Sequence, residues 1–351
     1  MSAPASTPNA SIQSWLWLFG IAAVFFIFAG LQAISAIVTP FLLAAFLAII
    51  SAPPLTWMER KGVPGPLAIL LLFSLVGLSF FLLLLALKGA AESMAAQAPL
   101  YQTRLSGWIE DLSRLLEQRG MPPEMMPDSI PVPNAATLTG MARDIAGGLG
   151  QFTTSAFLIL LAFMFMLLEQ QKLVAKLNAA FPGRKRARVR ARRFLRSVNR
   201  YLVIKTLSSI ATGVIVGVGL MLIGVDFAIL WAILAGLLNF IPTIGSIIAA
   251  IPAILIALLG LGVTEALLVL VLYTVVNVGI GSYIEPQFMG QSLGVSPLVV
   301  LISLLIWGWV FGPIGMLLSI PLTMIVKLAL ESSSQTRWMG ILMSDKAKTH
   351  Q

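Results

Sequence analysis

Long apolar runs separated by short polar ones set the pattern of this chain. Residues 15–51 are 37 nearly uncharged positions, interrupted by Gln32 and by Thr39-Pro40. A spanning helix needs about 20 apolar residues, so this run predicts two short spans. Residues 66–87 predict a third span, 149–168 a fourth and 206–224 a fifth. Between the third and fourth, Leu105, Trp108, Ile109, Leu112, Leu115 and Leu116 recur at helical spacing. Glu110 and Arg114 form an i,i+4 pair on the opposite face. Five prolines from Pro122 to Pro133 then preclude regular structure. The apolar stripe suits the outer leaflet, a neighbouring subunit or packing within its own small domain. The pattern predicts an all-α, polytopic transmembrane protein.

Two late segments resemble one another. Residues 228–259 and 297–327 each hold an apolar half, a break with Pro and Gly, and a second apolar half containing Ile-Pro. Pro242, Gly245 and Pro252 match Pro313, Gly315 and Pro321. Proline removes a backbone hydrogen bond and clashes with the preceding turn, so these positions predict breaks or hinges. Irregular backbone within a membrane is tolerated only inside protein or beside a water-filled cavity. Paired interrupted helices also point to a transporter's binding site. Each segment is either one long bent span or a re-entrant hairpin, and the hairpins would enter from opposite faces. Charge parity leaves both geometries open.

Charge sets the orientation. Hydrophobic residues are 58% of the chain and charged ones 11%, against about 25% charged in a soluble domain. Twelve of the 23 Lys and Arg lie from Lys172 to Lys205. Basic loops stay in the cytoplasm. That rule places 51–65, 169–205 and the tail from 331 to 351 inside, and 88–148, with five basic and seven acidic residues, outside. Both termini are then cytoplasmic. The divisions are membrane helices in 1–87, an extracytoplasmic amphipathic segment in 88–148, a span at 149–168, a basic cytoplasmic helix in 169–205 and a C-terminal membrane domain in 206–330. The basic helix joins two spans and interleaves no stacking aromatics. It reads as an anchor to anionic lipid of the bilayer, not as a nucleic-acid site. The chain has no cysteine, and its one histidine is His350. No cofactor, metal site or hydrolytic constellation is expected.

From residue 206 to 326 there is no Lys, Arg or His, but Asp226, Glu265 and Glu285 are present. Ionisable groups inside lipid are functional candidates by default. Tyr273, Asn277 and Gly281 fall on one helical face that Glu285 continues. The residue before a proline disfavours the helical region, so the helix is expected to end near Glu285-Pro286. Glu285 is expected to be protonatable, to pair with a bound cation, or to reach interfacial water. Asn239, before the break at Pro242, is expected to satisfy freed backbone groups or to bind substrate. Asp226 reads as a turn residue, and Thr264 as an N-cap with Glu265 in the first turn. Tyr283 and Gln287 join Glu285, Asn277, Tyr273 and Asn239 as candidate pathway groups. The lack of basic residues argues against a phosphorylated or strongly anionic substrate and favours a neutral polyhydroxylated compound or a small cation.

The stretches LAGLLNFIPTIGSIIAAIPA and GSYIEPQFMGQSLGVSPLVVLISLLIWGWVFGPIGMLLSIPLT resemble the C-terminal half of the autoinducer-2 exporter family of bacterial inner-membrane proteins. The layout of spans agrees over nearly the whole chain. The family's characteristic region falls on Asn239, Pro242, Gly245, Glu285, Pro286, Gly290, Pro297, Gly312, Pro313 and Pro321. The resemblance implies about eight membrane segments in the inner membrane and a homo-oligomer, a pentamer. It implies export of a small signalling molecule in some members and sodium/proton antiport in others. The expected function is a secondary transporter exporting a small polar molecule past the broken segments, with Glu285 as coupling group. The alternatives are a cation/proton antiporter moving H+ or Na+, and a non-transporting scaffold.

Overall fold

The computed structural model describes residues 10–118, 135–180, 185–242, 244–289, 295–333 and 335–345. The proline-rich stretch Pro122–Pro133 and Gly290 lie outside them. Among the described residues the chain is helical, with no strand. Six helices are long and apolar enough to cross a membrane; a further three apolar helices are shorter. About eight segments are expected from the sequence. Part of the difference arises at 228–259, which divides into two shorter apolar helices.

The chain forms two compact units, Ala44–Leu293 and Met1–Leu43 with Gly294–Gln351. The larger unit is built on α3 (Gly65–Gln118) and α4 (Ala135–Ala180), which pack side by side. The 54 residues of α3 rise about 81 Å, far more than a bilayer core. The amphipathic segment is therefore no separate helix. It continues the third span without a stop, and Pro99 sits within the helix. The basic segment is likewise continuous with the fifth span, in α5 (Lys185–Ile223).

Next come α6 (Ala228–Leu238) and α7 (Ile244–Gly260), packed on each other. Their joint depends on Gly245, where a Cβ would stand 1.8 Å from the carbonyl oxygen of Leu238. No side chain fits there. The far ends of the two helices also meet: a Cβ at Gly260 would be 3.8 Å from Asp226 Oδ2. Residues 226–260 thus leave and return to one place. Small residues bring α6 against α5: a Cβ at Gly213 would lie 3.0 Å from the Ala232 carbonyl oxygen, the close approach that glycine permits between membrane helices.

The chain then runs through α8 (Val263–Val276), a π-helical segment (Asn277–Ile284) and α9 (Glu285–Met289). The expected stop at Glu285-Pro286 does not occur. Glu285 is helical, and its N–H bonds to the carbonyl of Ile280, five residues back. The widened π turn carries the chain into Pro286 without a break. Thr264 is not the N-cap of α8. Gly262 is, with φ 124°, and Glu265 does lie in the first turn.

The smaller unit holds α1 (Ala10–Ala33), the start of α2 (Ser35–Arg60), α10 (Pro297–Leu317), α11 (Ser319–Ser332) and α12 (Arg337–Leu342). Ser296 caps α10 by accepting from the Val299 N–H at 3.4 Å. Gly312 interrupts α10 at φ 64°, ψ −149°, a conformation open essentially to glycine alone. A Cβ at Gly315 would stand 1.9 Å from the Trp307 carbonyl oxygen. Gly245 and Gly315, matched in the sequence repeat, thus meet the same requirement. Trp307 stacks on Phe311, meets Phe28 edge-on and donates from Nε1 to Thr323 Oγ1 at 2.9 Å.

Candidate functional site

The α5 residues Tyr201, Lys205, Ser208, Thr212 and Val216 recur at i, i+4, i+7, i+11 and i+15, and all are buried. This face meets α8, the π-helical segment and α9. Glu285 projects from the opposite side. Lys205 Nζ donates to Glu285 Oε1 at 2.8 Å and to Oε2 at 3.0 Å. Lys205 is 5% exposed and Glu285 8%, so both charges are withdrawn from solvent. Neither would be tolerated there alone, because a charge deprived of its partner in such surroundings is strongly destabilising.

Lys205 is the member of this buried pair that sequence reasoning missed. It closes the run of twelve basic residues and was grouped with them as cytoplasmic. The apolar helix in fact runs from Leu195 to Ile223 and contains it. The available signal was its i+4 relation to Tyr201 inside an apolar stretch. Glu285, expected to be protonatable, to pair with a bound cation or to reach interfacial water, pairs here with the ammonium of this lysine.

Two further bonds tie α5 into place. Arg200 Nη2 donates to the Phe288 carbonyl at 2.8 Å, closing the C-terminal end of α9. Asn199 Nδ2 donates to the Ile49 carbonyl on α2 at 2.7 Å. On another face of α5, Asn239 Nδ2 donates to Ser209 Oγ at 3.1 Å. Asn239, expected to satisfy backbone freed at Pro242 or to bind substrate, joins the end of α6 to α5 through its amide.

The other candidate residues divide. Tyr273 is buried, with no partner for its hydroxyl among the described residues, and Thr212 Oγ1 is in the same condition. Asn277 is half-buried. Tyr283 and Gln287 are exposed, Tyr283 by 65%, and do not join Glu285. Tyr283 and Gln287 stand two residues to either side of Glu285 and so face away from it on a helix, while the π turn brings Glu285 five residues after Ile280 into line with the buried positions Val269, Tyr273, Val276 and Ile280.

A second polar cluster lies at the other end of α5. Tyr101 donates to Asp226 Oδ2 at 2.5 Å, and Arg104 Nη1 donates to the Leu259 carbonyl at 3.4 Å and to that of Gly260. Trp231 Nε1 donates to the Asp226 carbonyl at 3.0 Å. Asp226 is therefore more than a turn residue: it anchors α3 to the ends of α6 and α7. Burial, then the Asp226 carboxylate, push the Tyr101 phenol well above its ordinary range.

Among the described residues no group of three or more His, Cys, Asp and Glu comes together to hold a metal. A groove of about 470 Å³ between α5 and α6, past Gly213, Gly217 and Gly236, is almost wholly apolar. It offers a surface to lipid and no convergent polar chemistry.

The arrangement is one of ionisable and hydroxyl groups enclosed by apolar helices. Residues 17–335 match the family described as AI-2E family transporter. The chain is 38% identical to the AI-2 transport protein TqsA of Escherichia coli over 92% of this chain and 93% of that one. It is 40% identical to a protein of Haemophilus influenzae over 93% and 96% of the two chains. It is 37% identical to YhhT of Escherichia coli over 96% of each. These relatives are named as transport proteins, not as enzymes.

Proposed function

The chain belongs to the AI-2E transporter family, and on that footing we propose that it is an inner-membrane secondary transporter. It exports a small, polar, neutral molecule of the autoinducer-2 kind, the cargo in the name of its relative TqsA. The observation that carries the mechanism is the buried Lys205–Glu285 pair. Two opposite charges that cancel leave no net field to retain an ion, yet each is a strong hydrogen-bonding group once the other lets go. A polyhydroxylated solute can supply both replacement partners, donating to the carboxylate and accepting from the ammonium. The pair is thus the gate, closed on itself when no solute is present.

The path runs along α5, α8 and the π-helical segment, beside the joint of α6 and α7. We take α6–α7 to be a re-entrant hairpin. Its helices of 11 and 17 residues rise about 16 and 26 Å, short of the roughly 30 Å of a hydrocarbon core. The meeting of Asp226 and Gly260 supports the same reading. With the basic half of α5 cytoplasmic, the gate lies toward the cytoplasm and Asp226 toward the outside, and both termini are inside.

Efflux of AI-2 from loaded proteoliposomes tests the proposal. Wild type should release AI-2, and Glu285→Gln and Lys205→Met should change that rate at least tenfold. Wild-type vesicles that retain AI-2 under every imposed proton or sodium gradient would rule the reading out.

A further inference from the structure

The apolar groove between α5 and α6 has two different ends. Its sides include the exposed residues Ile210, Val214 and Val218, and Gly213, Gly217 and Gly236 form its floor. The floor is low because the helices nearly touch there: a Cβ at Gly217 would stand 2.7 Å from that of Ala232. From Thr206 to Met221 the α5 wall rises about 22 Å. One leaflet contributes roughly 15 Å to a hydrocarbon core. The groove is therefore long enough, and apolar enough, for a hydrocarbon chain lying along the helices.

The basic end of α5 continues the same wall. Residues 18 positions apart on a helix are separated by about five turns and share one face, and α5 is a single helix throughout. The groove residues Thr206, Ile210, Val214 and Val218 therefore repeat the angular positions of Arg188, Arg192, Arg196 and Arg200. Arg196 and Arg200 are exposed, and their backbones stand about 15 and 9 Å before Thr206 along the axis. That is headgroup level for a chain seated in the groove. Lys205 is buried on another face of α5, so the groove and the ion pair are separate. The arginines find little negative charge within the chain. There is no Asp or Glu from 170 to 225, and Glu169 is held by Lys176 and Glu331 by Lys327. A second copy laid in the groove would bring more cations or acids that are already paired. An anionic lipid supplies the missing charge, as it does for basic pockets between membrane helices.

We propose that this groove binds one anionic phospholipid of the cytoplasmic leaflet, with an acyl chain past Gly213 and Gly217 and its phosphate at the arginine row that includes Arg196. This is a saturable site on one face of α5, distinct from a general attraction of the basic helix to the membrane surface. The bound chain braces α6 against α5 on the side where Asn239 donates to Ser209. The inference needs α5 to span the membrane with its basic end in the cytoplasm, and it holds for any cargo.

The test is lipid binding by the purified full chain in detergent, followed by native mass spectrometry during titration with phosphatidylglycerol or with phosphatidylcholine of the same chains. Wild type should bind phosphatidylglycerol saturably, one per subunit, and about tenfold more tightly than phosphatidylcholine. Arg192→Gln/Arg196→Gln should weaken phosphatidylglycerol about tenfold. Arg186→Gln/Arg190→Gln removes the same charge from another face of α5 and should bind as wild type does. Val214→Trp fills the groove, leaves the arginines in place and should also weaken binding about tenfold. Unfolding temperatures without lipid should match wild type in both arginine variants. Equal loss in the two arginine variants overturns the site in favour of surface attraction, and so does equal affinity of wild type for the two lipids. Unchanged lipid binding by Val214→Trp overturns it as well, and a smaller oligomer in that variant would identify a second copy as the occupant.

Discussion

Lys205 and Glu285, eighty residues apart in the chain, meet inside the larger helical unit with both carboxylate oxygens within 3.0 Å of one ammonium nitrogen. Their backbones belong to helices of opposite direction. The register of one against the other follows from this pair at one end and from the contact of Gly219 with Leu272 at the other.

Removing one partner should cost more than removing both. Lys205→Met or Glu285→Gln alone leaves a buried charge unpaired, and each should lower stability by about 3–5 kcal/mol. The double variant Lys205→Met/Glu285→Met should recover most of that loss, because a buried pair is often replaceable by apolar side chains. Unfolding in detergent, followed by circular dichroism, measures all three. A double variant no more stable than the singles would mean that the pair is not coupled as the geometry requires.

Tyr101→Phe should loosen α3 from the ends of α6 and α7. A hydrogen bond to a charged group contributes about 1.5–3 kcal/mol, and Asp226 would lose this one. Faster hydrogen exchange around residues 98–104 and 226–231 is the expected sign. The pH dependence has a definite direction. The phenol is raised in the folded state, so its stabilisation is complete below its unfolded value of about 10 and is lost as pH rises above it. Wild type, unlike Tyr101→Phe, should show this alkaline loss.

Gly245→Ala and Gly315→Ala should each be severely destabilising. The added methyl would stand 1.8 and 1.9 Å from a carbonyl oxygen, so backbone must move, and overpacking of this kind costs about 1–3 kcal/mol or more. Gly279→Ala is the control, because a Cβ there meets nothing within 4 Å. Size-exclusion profiles and unfolding temperatures should separate the first two from the third.

Arg200→Ala should free the end of α9 while leaving the ion pair one turn away in place. The Phe288 carbonyl loses its only side-chain donor among the described residues. Hydrogen exchange should rise at 285–289, with a smaller drop in unfolding temperature than Lys205→Met gives. Equal drops would show that Arg200 supports the pair as well as the helix end.

Much of this protein was legible in the order of its residues. Span length, the polarity of the loops and the Pro/Gly repeat are local properties, and periodicity reports them directly. Glu285 stood out because a lone carboxylate in an apolar stretch is conspicuous, and Gly245 and Gly315 because proline and glycine punctuate whatever fold they occupy. Where local rules compete, the sequence was a poorer guide. Pro286 argued for a helix end, but a π turn upstream absorbed it, and Tyr283 and Gln287, two positions from Glu285, face away from it. Thr264 was the better capping side chain, yet Gly262, with its positive φ, sets the start of α8.

What only the tertiary structure decided is which groups meet. Lys205 looked like the last member of a basic run, Asp226 like a turn residue and Asn239 like a partner for backbone freed at Pro242 or for substrate. Each has a partner on another helix: Glu285, Tyr101 and Ser209. Hydrophobic periodicity specifies which face of a helix turns inward, because burial is a property of one residue and its neighbours in the chain. It carries no information about the residue opposite, since that depends on how helices eighty positions apart pack and slide into register.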